Sequence, residues 1–355
     1  MPRKQAASLL ADVPAITSAL TDCGDHNLRQ PFGVSLALHD DSAIATQAVL
    51  EDQLEFIRTV AVGPVAGVFG PESVMWRLNR EAIVFLAAGR ALLLQLAHPW
   101  VAAAVANHSR GLTEPIVRFH RTFSVVFSLV FGTTDQAFAA ARRLHRRHSS
   151  VTGVLPGTAG PFKESSKYCA NNISALRWVH ATLIESALVA HDLVLGPLTA
   201  DERQRYYVES KLFAELFGIP RSFLPADWET FTAYTEAMSH SDILTISPAA
   251  RAIAAQIFAG AGTWFRIPGS YHAVTLAILP ERVRRDFGFS YDETERQASA
   301  RAIKWVRRAY PLLPRRIRHV GPYQEAVGRL RGRLLPDAAT QLLNRFWMGQ
   351  RSLGG

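Results

Sequence analysis

The chain has 355 residues, of which 48% are hydrophobic, and its formal net charge is +9. This length and apolar content suffice for a large buried core, which excludes a chain that is disordered throughout. Only two cysteines are present, Cys23 and Cys169, so a disulfide framework and a thiolate-rich zinc or iron–sulfur site are excluded. Such low cysteine usage fits a reducing compartment.

Residues 1–45 show no sustained hydrophobic period, and we expect a loosely ordered arm there with one short helix near residues 6–20. The start of the chain has two basic residues but neither an unbroken apolar stretch nor a small-residue cleavage site. It therefore does not resemble a secretory signal, and we expect a cytoplasmic protein.

Helical periodicity dominates the rest of the chain. Apolar residues recur at spacings of three and four, whereas the alternation typical of strands is nearly absent. The helical stretches are 46–60, 72–106, 115–131, 134–152, 175–195 and 199–217. The sequence therefore predicts an all-α fold, with a large helical domain over residues 46–290 and a basic helical extension over residues 291–355.

Several helix boundaries carry the residue types that helix ends need. Thr199 followed by Glu202 is a capping-box pattern. Gly218 provides a stop for the same helix, and Pro248 stands at a first helical position. Residues 153–166 are too rich in Gly, Pro and Ser to be helical, so they predict a loop, either a lid beside a site or an inert connection.

The most apolar region is residues 82–106, which Arg90, His98 and Pro99 interrupt. It therefore falls short of the roughly 20 apolar residues that a membrane span needs. We expect a buried core helix that Pro99 kinks or restarts directly after His98, which would aim that imidazole inward.

Basic residues concentrate near the end of the chain. Residues 301–333 contain ten Lys and Arg against one acid, Glu325, so this stretch accounts for the whole net charge. No nucleic-acid reader motif accompanies it, and no nucleic-acid partner is expected. A solvated helical face or peripheral contact with an anionic membrane surface explains the stretch better.

Six of the twelve histidines lie on or beside the central apolar helices, namely His98, His108, His120, His145, His148 and His180. The other six, which include His39, receive no role. HExxH, GxSxG, GxxxxGK[ST] and paired Glu-x-x-His motifs are absent, which leaves zinc, serine-hydrolase, P-loop and di-iron sites unsupported. Histidines with few carboxylates suit a cofactor such as haem, in which one neutral imidazole can be the only protein ligand of iron.

Four ordered runs are the most specific feature of the sequence. They are GRALLLQLAHPWVAAAVANHS (89–109), EPIVRFHRTFSVVFSLVFGT (114–133), RRLHRRHSSVTG (142–153) and LRWVHATLIESAL (176–188). These runs resemble the mpaB and rubber oxygenase catalytic-domain family, which includes the bacterial latex-clearing proteins, over roughly residues 70–290. The resemblance implies an all-helical oxygenase domain with haem b that uses dioxygen to cleave carbon–carbon double bonds of isoprenoid chains.

The resemblance also implies an iron ligand. The family's axial histidine stands in the pattern His-x-x-Val-x-Gly, which matches His148 to Gly153. The family often has Arg one turn before and one turn after this histidine, where this sequence has His145 and Thr152. On a continuous helix both positions share the face of the ligand, so two cations that could pair with haem propionates are missing.

On the opposite side of the haem the family carries an Arg and a Thr four residues apart, which match Arg118 and Thr122 on one helix face. The resemblance implies that these two catalytic residues line the side where dioxygen binds, because fixed donors stabilise negative charge on oxygen. Arg121 stands where a latex-clearing protein can present Lys to iron. A guanidinium cannot deprotonate to coordinate, so Arg121 is expected only beside the cofactor.

Four further residues are expected near the cofactor, and one of them is His145, a turn before His148. His98 matches a family position and is an alternative iron ligand or a neighbour of the ligand, and His180 is a neighbour. Arg90 lies inside an apolar run and needs a partner if it is buried. A haem propionate or a carboxylate such as Glu185 would serve.

The leading hypothesis is a haem-dependent oxygenase with a hydrophobic channel between residues 83–106 and 123–131. Because no export signal is recognised, a small isoprenoid, lipid or polyketide-like olefin is a better substrate than an extracellular polymer. Two alternatives remain open: a haem-binding or haem-sensing protein without turnover, and a cofactor-free helical protein that binds lipid or a partner through its basic C-terminal face.

Overall fold

The computed structural model describes residues 39–40, 42–108, 115–259 and 268–354. The helix expected near residues 6–20 lies outside these residues. The described chain is mostly helical, and it contains one small antiparallel sheet of β1 (Thr152–Val154) and β2 (Lys167–Cys169), in which Gly153 pairs with Tyr168. The prediction of an all-α fold class is confirmed.

The α-helices of the described residues are, in chain order, α1 (Gln47–Val60), α2 (Val74–Asn79), α3 (Ala88–Leu96), α4 (Pro99–His108), α5 (Pro115–Phe131), α6 (Thr134–Ser149), α7 (Ile173–Leu195), α8 (Ala200–Leu216), α9 (Trp228–His240), α10 (Pro248–Phe258), α11 (Gly269–Ile278), α12 (Glu281–Asp286), α13 (Glu293–Ala309), α14 (Arg315–Arg318), α15 (Gly321–Leu330) and α16 (Ala338–Met348). Three short 3₁₀ helices cover Ala82–Ala87, Arg221–Phe223 and Tyr310–Leu312.

Helix α7 forms the centre of the core. It is 23 residues long, is buried over most of its surface, and packs against α2, α3, α8, α13 and the 3₁₀ helix Ala82–Ala87. Within the described residues α7 alone has the length and hydropathy of a membrane span as a single helix, and 56% of that apolar window is buried inside the fold.

The apolar stretch 72–106 is divided rather than continuous. It contains α2, the 3₁₀ helix, α3 and α4, and the axis turns by 101° between residues 82–96 and α4. Pro99 is the first residue of α4, because proline lacks the N–H that a continuing helix would need and clashes with the preceding turn. The predicted restart after His98 is confirmed.

Helices α5 and α6 form an antiparallel hairpin joined by Gly132 and Thr133. The Thr133 hydroxyl accepts from the Gln136 N–H at 3.1 Å, and Gln136 Oε1 accepts from the Thr133 N–H at 2.9 Å. A Cβ on Gly132 would lie 2.3 Å from the Ser128 carbonyl oxygen, so glycine is required there. The turn is therefore fixed by local chemistry.

The C-terminal helices are packed onto this framework. Helices α15 and α16 contact α5, and the segment before them is held by the buried carboxylate of Glu81. Glu81 accepts from the Tyr310 hydroxyl at 3.0 Å and pairs with Arg318 at 3.1 Å and His319 at 3.3 Å. Burial alone would raise the pKa of Glu81, but the hydrogen bonds from His319 and Tyr310 and the charge of Arg318 lower it to about 2.

Candidate functional site

His148 lies in the last turn of α6, which ends at Ser149. The sequence placed Thr152 on the same helix face, and this was wrong, because Thr152 is the first residue of β1. The Ser150 N–H already closes the helix on the carbonyls of Arg147 and His148. The chain therefore changes direction immediately after the histidine.

Gly153, the last residue of the His-x-x-Val-x-Gly pattern, has a packing role. A Cβ at this position would lie 2.5 Å from the Tyr168 hydroxyl oxygen across the sheet. The same hydroxyl accepts from Asn107 Nδ2 at 3.0 Å, and His108 Nε2 donates to the Thr152 carbonyl at 2.8 Å. The end of α4 is thus tied to the strand that follows His148.

The His148 ring is partly buried and has the properties of a metal ligand. Burial, together with the neighbouring His145 and Arg147, lowers the pKa of His148 to about 4, so the ring is neutral near pH 7. Its Nδ1 is buried and has no hydrogen-bond partner within the described part of the chain. A neutral imidazole whose nitrogen is not already engaged can bind a metal without breaking an existing bond.

Four of the other central histidines are engaged with the backbone. The contacts are His108 to Thr152 O at 2.8 Å, His120 to Phe346 O at 3.0 Å, His145 to Ala45 O at 3.0 Å and His180 to Ser210 O at 2.9 Å, each from Nε2. These rings connect helices to distant segments. This leaves His98 and His148 as the central histidines with a buried, unpartnered ring nitrogen among the described residues.

His98 occupies the bend between α3 and α4 and is fully buried. Burial, and secondarily His39, lowers its pKa to about 3. Its ring lies 5.3 Å from Phe162, 5.8 Å from His39 and 6.1 Å from Trp100, measured between centroids. Since Phe162 belongs to the predicted loop 153–166, this loop packs over His98. His39 was assigned no role, and no periodicity of the arm indicated that it would reach His98.

Arg118 and Thr122 lie on the other arm of the hairpin. On α5, Arg118 and Thr122 share one helix face with Val125 and Leu129. On α6, His148 shares one helix face with Ala137, Ala141 and Leu144. Each set of residues forms a stripe along its helix. Both stripes are fully buried near the turn and become partly exposed toward the free end of the hairpin. Arg118 and His148 thus both lie in the part of the hairpin remote from the turn, about 21 Å along their helices at 1.5 Å per residue.

Arg118 carries the positive charge of the stripe on α5. Arg118 is half-buried, its burial lowers the pKa of the guanidinium, and no carboxylate pairs with it within the described ranges. Thr122 is exposed beside it. Arg121 instead lines a separate groove of about 830 Å³ together with Ser124 and Arg143. Within the described ranges Arg118 is consequently a partly buried cation without a carboxylate partner.

An aromatic wall runs along the neighbouring face of α5. Phe119, Phe123 and Phe127 follow at four-residue spacing, with centroid distances of 4.5 Å and 5.9 Å. Phe85 packs on Phe123 at 4.6 Å and on Trp347 of α16 at 4.2 Å. The two predicted channel walls therefore meet at Phe85 and Phe123. The contribution of Trp347 was missed, because it comes from a helix with no local signal for a site.

Arg90 has a full set of protein partners. Its guanidinium donates to the Ile278 carbonyl at 2.9 Å, to Ser186 Oγ at 2.8 Å and to Glu185 Oε2 at 2.8 Å. The Glu185 pairing is one of the two partners that the sequence suggested. These bonds account for the buried charge of Arg90 and join α3 to α7 and α11.

A protein-family model described as "ER-bound oxygenase mpaB/B'/Rubber oxygenase, catalytic domain" matches residues 75–309, which is more than half of the chain. The chain belongs to this family. No curated protein and no solved structure matches it. The matched range of the mpaB/rubber oxygenase domain contains the bend at His98, both arms of the hairpin and α7. Helices α14 to α16, which complete the aromatic wall, lie outside it.

In this oxygenase domain the buried His180 makes stability depend on pH. Burial lowers the pKa of His180 to about 4, although its bond to the Ser210 carbonyl opposes the shift. Between pH 6.5 and 4 the unfolded chain binds a proton that the folded ring refuses, so the free energy of unfolding should fall as pH drops. We expect a loss of up to about 2 kcal/mol from this residue between pH 7 and pH 5.

Urea denaturation at both pH values measures this loss. In His180→Gln the total loss of unfolding free energy between pH 7 and pH 5 should be smaller than in the wild type by the contribution of His180. In His240→Gln, which alters an exposed ring, it should equal that of the wild type. Equal pH dependence in the wild type and His180→Gln would contradict the assignment.

Proposed function

We propose that this mpaB/rubber oxygenase family member is a haem-dependent oxygenase that acts on a small apolar olefin of isoprenoid, lipid or polyketide-like chemistry. The observation that carries the proposal is the pair of residues remote from the turn of the α5–α6 hairpin. They are a neutral histidine with an unpartnered nitrogen, His148, and a partly buried cation with no carboxylate partner among the described residues, Arg118. The family supports oxygenase chemistry, and the hairpin supports the choice of cofactor.

The residues in this part of the hairpin fit haem b. A haem site can be built from one neutral imidazole, a cation for the propionates or for bound ligands, and apolar walls. His148 would hold the iron, and Phe119 and Phe123 would offer the apolar surface. Among the described residues no group of three His, Cys, Asp or Glu could hold a bare metal ion. Haem, when bound, supplies the oxygen chemistry.

The chain's own residues would position the reactants. The Arg118 guanidinium and the Thr122 hydroxyl share one helix face and can donate to oxygen on which negative charge develops. No carboxylate of the described residues pairs with Arg118, which would leave its charge available for this purpose. The aromatic wall would hold an apolar chain beside them and exclude water. Cleavage of one double bond consumes one dioxygen molecule and gives two carbonyl groups.

We expect Arg118→Gln to lower the turnover number by about 10²- to 10³-fold while haem content stays unchanged, as for the loss of one fixed donor to a developing negative charge. Oxygen consumption with saturating olefin measures the effect. Arg121→Gln is the matched control, since this exposed residue faces the groove, and it should retain most activity. Equal activity of wild type and Arg118→Gln would contradict the role of Arg118.

The proposed function is tested by titrating the purified full chain with hemin and then supplying dioxygen, a reductant and geranylgeraniol or an unsaturated fatty acid. We expect a Soret band that saturates at one haem per chain and carbonyl products that require oxygen. A Soret band without any oxygen-dependent product would indicate a haem-binding protein without turnover. A chain that stays colourless with hemin would indicate a cofactor-free protein, and either result overturns the proposal.

A further inference from the structure

Exposed apolar side chains concentrate in the C-terminal part of the described chain. Leu334 is 98% exposed, Leu312 84% and Leu335 77%, whereas exposed large apolar residues before α13 are fewer and do not exceed 51%. We define the C-terminal apolar surface as Leu312, Ile317, Leu334, Leu335, Leu342 and Phe346. Side chains of this size are rarely left so exposed in one region without a partner.

Ion pairs make this surface continuous. Asp337 pairs with Arg316 at 3.7 Å and with Arg333 at 3.3 Å, so the turn around residues 312–317 lies beside the loop of residues 330–335. Asp337 is also the N-cap of α16. Leu342 and Phe346 follow on that helix at four-residue spacing and therefore share one exposed face. The apolar side chains thus extend from the turn, past the loop, and along α16.

The surroundings of the surface are cationic. Exposed arginines border it at positions 315, 316, 331, 333 and 345, and the nearby acid, Asp337, is already paired with two of them. Arginines beside protruding Leu and Phe side chains are the composition of surfaces that lie in an anionic lipid interface. A nucleic-acid backbone would use the charges but leave the leucines in water. The combination favours lipid.

We propose that the C-terminal apolar surface docks onto an anionic membrane, with Leu334 and Leu335 inserted among the acyl chains and the bordering arginines at the phosphates. The docked face adjoins the candidate site, since the Phe346 carbonyl accepts from His120 on α5 at 3.0 Å. An apolar substrate dissolved in the bilayer would then reach the hairpin without crossing water. The docking itself does not depend on a bound haem.

The test is co-sedimentation of the full chain with vesicles of phosphatidylcholine alone or with 25% phosphatidylserine. We expect binding at least tenfold tighter to the acidic vesicles, weakened by salt. Leu334→Ser/Leu335→Ser should weaken it at least tenfold, and Arg315→Gln/Arg331→Gln about fivefold per arginine. Val65→Ser/Val154→Ser is the matched control, because both valines are 51% exposed elsewhere, and it should bind like the wild type.

Three results would overturn the proposal. One is wild-type protein that does not sediment with acidic vesicles, and another is a double leucine variant that binds them as tightly as wild type while its circular dichroism is unchanged. The third is evidence that the surface binds a partner other than a membrane. A nucleic-acid partner would show as tight binding of a DNA duplex without vesicle binding. A second copy of the chain would show as a dimer in light scattering that the double leucine variant does not form.

Discussion

Replacing His148 by glycine is expected to abolish the Soret absorption of the haem-loaded protein, and added imidazole is expected to restore it. The side chain lies in the last turn of α6 and is only partly buried, so its removal costs about 1 kcal/mol of helix stability and leaves the fold intact. Free imidazole can occupy the space left by the ring and supply the missing ligand. Visible spectroscopy with and without imidazole measures both effects.

His98→Gly is the matched control for this experiment. His98 also has a buried Nδ1 without a partner in the described chain, but it stands at the α3–α4 bend and not on the hairpin. We expect the His98 variant to keep its Soret band. A band that survives in His148→Gly and disappears in His98→Gly would move the iron ligand to His98.

The second large effect concerns Glu81. Glu81→Ala should lower the free energy of unfolding by about 3–5 kcal/mol, because it leaves the charge of Arg318 without its buried partner and the Tyr310 hydroxyl without its carboxylate acceptor. Urea denaturation of the two proteins at pH 7 measures the difference. The control is Glu293→Ala, which removes an exposed pair with Arg296 and should change the free energy of unfolding far less. Similar losses in both variants would contradict the role of Glu81.

The contribution of Glu81 to the free energy of unfolding also depends on pH. Its pKa is lowered from 4.5 to about 2, so the stabilisation is fully present above pH 4.5 and is lost as pH falls toward 2. Acid denaturation between pH 5 and 2 should therefore be steeper in the wild type than in Glu81→Ala. Parallel curves in that range would show that the carboxylate is not stabilised by its partners.

Helix ends were predictable from sequence where neighbouring residues determine them. The Thr199 hydroxyl accepts from the Glu202 N–H, Pro248 opens α10, and Gly218 has a positive φ of 85°. Each of these helix ends depends only on residues within one helical turn, so the local sequence is sufficient to predict it. The fold class and the family were predictable for the same reason, since four local motifs carry them.

The sequence could not predict features that depend on distant contacts. The chain leaves the helix before Thr152 and continues into β1, where Gly153 packs against Tyr168 of the other strand. His39 reaches His98 from the arm, and Trp347 reaches Phe85 from the C-terminal helices. The spacing of residues within one helix does not indicate contacts with distant parts of the chain. For the candidate site, the sequence could place Arg118 and Thr122 on one helix face, whereas the hydrogen-bond partners of the histidines required the structure.

Helix α16, which places Trp347 against Phe85 and Phe119, is synthesised long after α5. His120 and the Phe346 carbonyl that it contacts are 226 residues apart. At translation rates of about 5–20 residues per second, α5 precedes that partner by roughly 10–45 s, whereas a helical hairpin can form in far less time. The nascent hairpin therefore passes through an interval in which Phe85 and Phe119 lack Trp347, and a prosthetic group supplied during translation would meet this uncovered form first.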